Sequence, residues 1–342
     1  MYFCPMILVT GGTGLVGSHL LLELIRAGEQ VKALRRASSN IEQVRKTFSW
    51  YTEKADELFA KIEWIEGDIL DIFSLEEAIE GVSEIYHCAG LVSFYKKDRF
   101  EIQRINHFGT ANVVNAALKA GIKKLCHVSS VSALGKEKQG ETITENHLWK
   151  TSKRNSYYAI SKYAAEREVW RGMEEGLDSI IVIPSIIIGP GNWNSGSTKL
   201  FSTVWNGMPF YSNGINGYID VRDVSKLMVK LMHSDLKNER FIFSAEDVSF
   251  RNIITMIAGS LGKIKPFVRL APWMGEVGWR IEQVKLLVGI RPTFSKEIAR
   301  AAFGKFYFSN QKLTAVLQHT YISIATSIDN TARIFLKDFK AK

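Results

Sequence analysis

Through roughly the first 250 residues, short runs of aliphatic and β-branched residues alternate with longer stretches whose apolar positions recur every three to four residues. The short runs predict strands at Met6–Thr10, Gln30–Leu34, Ile62–Glu66, Glu84–Cys88, Lys124–Ser129 and Ser179–Pro184. The longer stretches predict helices at Leu15–Ala27, within Asn40–Ala60, and at Ser74–Glu80, Asp98–Ala120 and Ser156–Glu175. Strands such as Met6–Val9 and Ile180–Val182 are apolar at every position, as strands covered on both faces by helices must be. Strand and helix in strict alternation specify an α/β fold, a doubly wound parallel sheet with right-handed crossovers.

After Pro184 the rhythm breaks. Gly189-Pro190-Gly191-Asn192 and Asn213-Gly214 are turn signals around a short insertion, and one more strand–helix pair follows at Arg240–Phe243 and Phe250–Gly262. From about Lys263 the chain reads as helical with little strand character. This organisation predicts a nucleotide-binding domain from residues 1–184 plus 218–262 and a smaller, mostly helical substrate lobe from 185–217 plus 263–342. In such folds the cleft at the carboxyl ends of the strands is where a ligand sits.

Composition adds compartment and partners. The 342 residues are 46% hydrophobic and 23% charged, with 7 Pro and 3 Cys, which excludes disorder, collagen and a disulfide scaffold. Cys88 and Cys126 sit in apolar strand runs and read as buried reduced thiols; no metal-ligand spacing exists among the cysteines. Met1–Pro5 lacks the basic and apolar segments of a signal peptide, and the apolar stretch Leu270–Ile290 is interrupted by Glu276, Arg280, Glu282 and Lys285, so a soluble, cytoplasmic protein without stable membrane insertion is expected. The net charge of +9 resides in residues 263–342, which hold 14 basic and 5 acidic residues. These charges are scattered singly, without the aromatic-interleaved stripe of a nucleic-acid surface, and read as a solvated face, so no nucleic-acid partner is expected.

Two constellations carry chemistry. In Val9-Thr10-Gly11-Gly12-Thr13-Gly14-Leu15-Val16-Gly17, between the first strand and the first helix, glycines 11, 14 and 17 allow a tight turn, close approach of a pyrophosphate and helix–sheet packing. The helix start adds unpaired N–H groups and a partial positive charge. A dinucleotide is the ligand such a turn takes. At the end of the second strand, where an acid would hold a 2′-hydroxyl, stand Arg35 and Arg36. Two guanidiniums there suit a 2′-phosphate, so NADP(H) is the expected cofactor, with NAD(H) as the alternative; solvated loop arginines are the bland reading.

The second constellation is Ser129-Ser130 at the end of the fifth strand with Tyr158-Ala159-Ile160-Ser161-Lys162 opening a helix. A spacing of four puts phenol and ammonium on one helix face, and the strand end opens into the same cleft. The lysine would lower the tyrosine pKa, making Tyr158 an acid/base for a reacting oxygen, while Ser130 hydrogen-bonds that oxygen as charge develops.

These residues, with Gly67-Asp68-Ile69, His87-Cys88-Ala89-Gly90, Asn106, Pro184…Gly189-Pro190-Gly191 and Tyr218-Ile219-Asp220-Val221-Arg222-Asp223-Val224, resemble the extended short-chain dehydrogenase/reductases, the NAD-dependent epimerase/dehydratase family. The resemblance spans essentially the whole chain. It implies that Asp68 and Ile69 hold the adenine, that Ala89 and Gly90 line the dinucleotide together with Thr10, Thr13, Leu15, Val16 and Ser129, that Lys162 reaches the nicotinamide ribose, and that Pro184, Ser185 and Ile187 lie beside the nicotinamide. Asn106 reads equally as a cofactor-side residue or a helix tether. Nucleotide-sugar members usually carry an acid after the second strand and a Tyr before the Gly-Pro, and this chain has neither. It looks more like the dihydroflavonol-4-reductase and 3β-hydroxysteroid dehydrogenase branch, with an apolar substrate for which Trp193, Phe201, Trp205, Phe210 and Tyr211 are candidate wall residues; core packing is their other reading. An NADP(H)-dependent oxidoreductase acting on a carbonyl or alcohol is therefore expected, with a nucleotide-sugar epimerase/dehydratase and a non-catalytic cofactor sensor as alternatives. The resemblance also implies a homodimer joined through the Asp98–Ala120 and Ser156–Glu175 helices.

Overall fold

A computed structural model describes residues 6–135, 140–152, 155–275, 277, 280 and 302–340. Met1–Pro5 and part of the predicted helical stretch beyond Leu270, residues 276, 278, 279 and 281–301, lie outside the described residues, and Glu276, Glu282 and Lys285 with them.

The apolar runs form β1 (Met6–Thr10), β2 (Gln30–Arg35), β3 (Ile62–Glu66), β4 (Val82–His87) and β5 (Lys124–Val128), followed by strands Ser179–Pro184 and Glu239–Phe243. They make one seven-stranded sheet, all parallel, in which β1 lies between β2 and β4, the chain running outward to β3 on one side and to Glu239–Phe243 on the other. Alternation within single strands explains their unbroken hydrophobicity. Ile7 and Val9 enter the core under helix α1 (Leu15–Arg26) and helix Val221–Met232, whereas Leu8 enters the core of the opposite face under helices Gly109–Ala120 and Tyr157–Glu174. The sheet is therefore the Rossmann-type doubly wound sheet, and the chain reverses direction between β1 and β4, where ligands bind in such sheets.

Two predicted elements take a different form. The Asn40–Ala60 region holds two short helices, Glu42–Ser49 and Ala55–Phe59. The long Asp98–Ala120 pattern is interrupted by a π-helical turn at Gln103–Phe108, an extra-residue turn that hydrophobic periodicity does not reveal.

A second sheet joins Glu246–Ser249, Ile215–Asp220 and Ile186–Ile188. Behind it Phe201, Val204, Ile253, Ile257, Ile328 and Phe335 form a separate core. Helix Phe250–Ser260 thus packs with the C-terminal helix Ile324–Lys340 rather than on the large sheet, whereas Val221–Met232 packs against α1. Periodicity predicts the Phe250–Ser260 helix but not which core it covers, and the Val221–Met232 helix is not among the predicted elements. Among the described residues no helix is long and apolar enough to cross a membrane.

Candidate active site

A cleft of about 260 Å³ opens at the β1/β4 reversal, lined by residues that include Gly11, Thr13, Gly14, Arg36, Asp68, Ile69, Ala89 and Gly90. All eight were expected from sequence. Gly11 sits at φ +69°, and a Cβ there would lie 2.5 Å from the Ala89 nitrogen at the end of β4, so only glycine fits between the first and fourth strands. A Cβ on Gly17 would collide with the backbone of Gly11, the helix–sheet contact inferred from the motif. Gly14 differs: the only heavy atom near its virtual Cβ is the Gly11 oxygen at 3.3 Å, and the residue faces the cleft. Gly14 also starts α1 without a side-chain cap, leaving the first N–H groups of the helix for a ligand. Val16 packs into the core below, and Leu15 lies beside the Gly189–Gly191 turn, its Cδ1 3.1 Å from where a Gly191 Cβ would be.

Asp68 lines the cleft, and its Oδ1 also accepts the Leu70 N–H at 3.0 Å, fixing the turn after β3. The two arginines separate. Arg35, at the end of β2, pairs with Glu66 on neighbouring β3 at 3.4 Å, whereas Arg36 lines the cleft with its own N–H bonded to the Ser39 hydroxyl at 3.0 Å. The expectation of a double guanidinium grip is corrected on this point. Register places Arg35 opposite Glu66, and Ser39 takes a place in the lining that the sequence did not suggest. Leu34, Gly67, Cys88, Leu91 and Ile105 complete the wall and are not among the site residues expected from sequence; Gly67 and Cys88 lie within the sequence motifs, and the other three are plain apolar residues.

Three expected cofactor contacts point elsewhere. Thr10 is fully buried, its hydroxyl 2.7 Å from His87 Nδ1 and accepting the Ala89 N–H at 3.3 Å. The Ser129 hydroxyl donates to Glu166, and the Ser185 hydroxyl to the Phe243 carbonyl at 3.2 Å. Pro184 is buried at a strand end and Ile187 pairs with Ile219 in the small sheet.

At the Gly90 end the chemistry-bearing residues converge. A Cβ on Gly90 would lie 3.3 Å from Asn106 Oδ1 and 3.9 Å from Lys162 Nζ. Asn106, inside the π-helical turn, accepts the Leu91 N–H at 2.7 Å and donates to the Leu91 carbonyl and the Ser161 hydroxyl, tying the strand end to the helix of Tyr158. That helix begins where the Ser156 hydroxyl accepts the Ala159 N–H at 3.1 Å, which sets Tyr158 and Lys162 on its buried face. Tyr158 is 8% exposed; burial pushes its phenol above the usual value, and a hydrogen bond with Ser130 pulls it back. Burial lowers Lys162 to about 8, opposed by the Glu166 carboxylate, and its ammonium donates to the Val128 carbonyl at 2.6 Å. The Phe94 ring stands edge-on to Tyr158 at 5.4 Å. His87 and His127 lie side by side, their rings tilted by 32° with centroids 5.2 Å apart; burial takes His87 down to about 3 and His127 well below its normal value.

Of the five lobe aromatics considered as substrate wall, Trp193, Phe201 and Trp205 are core instead. Trp193 packs edge-on against Phe201 and Phe335, Trp205 packs against Phe335 and Phe339, and Phe201 is fully buried. The Trp193 indole donates to Asp338 at 2.8 Å. Tyr211 lies under the Arg251 guanidinium, and Phe210 is exposed.

The site fits a dinucleotide. An uncapped helix start, a glycine facing the cleft and a cationic end at Arg36 are the features a pyrophosphate and an adenosine demand. Comparison with known proteins agrees. Residues 7–242 match the profile described as the NAD dependent epimerase/dehydratase family. A protein named putative dihydroflavonol 4-reductase from Synechocystis is 29% identical over 96% of this chain and 93% of its own. One named sterol demethylase protein B from Methylococcus capsulatus is 29% identical over 78% and 77%. In fold, the dTDP-glucose 4,6-dehydratase of Streptomyces venezuelae, solved with NAD and TYD bound, superposes with a TM-score of 0.77 at 17% identity over 98% of both chains.

Proposed function

The chain belongs to the NAD dependent epimerase/dehydratase family, and from that premise we propose that it is an NADP(H)-dependent oxidoreductase that interconverts an apolar carbonyl compound and its alcohol through Ser130, Tyr158 and Lys162. The observation that carries this reading is the convergence at the Gly90 end of the cleft, where Lys162 Nζ lies 3.9 Å from the position of a Gly90 Cβ and Tyr158 stands one turn before it on the same buried helix face, with Ser130 acting on its phenol. Gly11, Thr13, Gly14, Asp68, Ile69, Ala89 and Gly90 would hold the dinucleotide, and Arg36 with Ser39 its 2′-phosphate. When bound, the nicotinamide supplies or receives the hydride exchanged with the substrate carbon. In the reducing direction Tyr158 gives its phenolic proton to the carbonyl oxygen as that oxygen becomes negative. Ser130 donates a hydrogen bond to the same oxygen, and the Lys162 cation stabilises the tyrosinate left behind. Burial alone would make Tyr158 a poor acid, and Ser130 opposes that effect.

An apolar substrate is supported by Phe94 against Tyr158 and by the Leu91 and Ile105 side of the cleft. The names of the two sequence relatives, a flavonol-type reductase and a sterol-processing protein, point the same way. A homodimer is supported by Phe100, Phe108, Tyr157 and Ile160, exposed large apolar residues on the two helical segments, which are themselves joined by His107 and Glu168 at 3.1 Å.

Calorimetric titration with NADPH and NADH tests the cofactor reading. NADPH binding at least about tenfold tighter, roughly 1.4 kcal/mol, is expected. NADH preference, or NAD that copurifies with the protein, overturns it and favours an epimerase or dehydratase.

A further inference from the structure

Helix Tyr157–Glu174 carries a second buried ion one turn beyond Lys162. Glu166 is 0% exposed and four residues from a lysine that is 4% exposed, so both project from the same face into the protein. The Glu166 carboxylate accepts from the Ser129 hydroxyl and from Arg240 Nη1 at 3.3 Å. Arg240, on the last strand of the large sheet, is itself fixed by the Glu145 carbonyl on Nε and the His147 carbonyl on Nη2, each at 2.8 Å. A buried carboxylate is expensive unless it is paired, and this one is paired from two strands at once.

We propose that Glu166 is a positioning residue of this site: held between the Ser129 hydroxyl and the Arg240 guanidinium, its carboxylate keeps Lys162 cationic and fixes the strand end that presents Ser130. The proposal rests on the reading of Lys162 as the partner of Tyr158. The groups that act on Lys162 come from three elements. Its own helix supplies Glu166, the end of β4 supplies His87 and Cys88, and β5 supplies His127 and the Val128 carbonyl that accepts from its ammonium. Burial keeps both histidines neutral and pushes the Cys88 thiol up to about 12, so among the described residues facing Lys162 the anion is Glu166. Burial raises the Glu166 carboxyl too, and the Ser129 hydroxyl and Arg240 charge oppose that rise. Removing either partner therefore weakens the anion that the lysine needs.

The test is the titration of Lys162 itself, followed by carbon-13 NMR of the lysine side chains, with K162R identifying the signal. In the unaltered protein the midpoint is expected near 8. E166Q keeps an acceptor for Ser129 but loses the charge, and its midpoint should fall by a pH unit or more; E166D, which keeps the charge, should stay close to the parent. If E166Q does not fold, R240Q serves, because the unpaired buried carboxylate then takes up a proton and the lysine midpoint falls likewise. A parental midpoint in E166Q, or in R240Q where E166Q does not fold, overturns the proposal, since a purely structural role would cost stability without moving the lysine. The pH profile of kcat/KM separates this from the underlying reading. A lysine midpoint that shifts while the alkaline limb of the rate stays in place leaves Glu166 as proposed and removes Lys162 from the chemistry.

Discussion

At the Gly11–Gly17 end of the cleft the groups offered to a ligand are backbone N–H groups, laid bare because side chains are missing, whereas at the Ser130 end they are side chains buried in a network that crosses three strands and a helix. The first end is local: a turn of a few residues sets its geometry, and the only strain is φ +69° at Gly11. The second is assembled from residues distant in sequence, with Lys162 on Val128, Asn106 on Leu91 and Ser161, and Glu166 on Ser129 and Arg240. The contrast teaches that binding and chemistry are separable here. One end can lose affinity while the fold survives, and the other carries both the titratable groups and much of the long-range hydrogen bonding.

Acid should expose the difference most strongly. His87 and His127 are held neutral by burial, with folded pKa values below the ordinary value near 6.5. The unfolded chain then binds the extra protons, so stability is retained above about pH 6.5 and falls as pH drops toward the folded values, by about 1.4 kcal/mol per pH unit for each histidine. Denaturant unfolding should show up to roughly 4 kcal/mol lost between pH 6.5 and 5. A stability that is flat across that range would break the picture of a dry, uncharged histidine pair.

Gly14→Val tests the opposite end. Its side chain would point into the cleft from a residue at φ −80°, which valine adopts freely, so the melting temperature should change little while NADPH affinity falls roughly 100-fold, about 2.7 kcal/mol. Unfolding by this substitution would show that the two ends are not separable. Arg36→Ala should weaken NADPH by about 1.5–3 kcal/mol, as expected for loss of a charge-assisted contact, and leave NADH binding unchanged. Arg35→Ala, which removes only a partly exposed pair with Glu66, should cost no more than about 1 kcal/mol of stability and barely alter either affinity. Equal losses of NADPH affinity in the two arginine variants would contradict the division of labour between them.

The same contrast explains what the sequence could reveal. Six of the seven main-sheet strands and the glycine turn are legible because periodicity and turn chemistry act over a few residues, and the seventh, Glu239–Phe243, is legible to within one residue. Tyr158, Lys162 and Ser130 are legible because each stands at a strand end or helix start. Arg35 is misread because its partner Glu66 becomes a neighbour only through the β2–β3 register. The Thr10 hydroxyl is engaged by His87 of the neighbouring strand and the Ser129 hydroxyl by Glu166 of the covering helix, and Trp193, Phe201 and Trp205 share a core with the C-terminal helix across a fold that no local pattern encodes. Glu166 was within reach: its spacing of four from Lys162 is visible in the sequence, but its burial and its tie to Arg240 are not.

The most direct test of the account is Tyr158→Phe, titrated calorimetrically with NADPH and assayed for reduction of apolar ketones by the unaltered and variant proteins. The account predicts cofactor affinity within about twofold of the parent and turnover lower by roughly 10²–10⁴, the contribution of a positioned general acid. Full turnover in the variant, or loss of NADPH binding with it, would contradict the separation of the two ends and the role given to Tyr158.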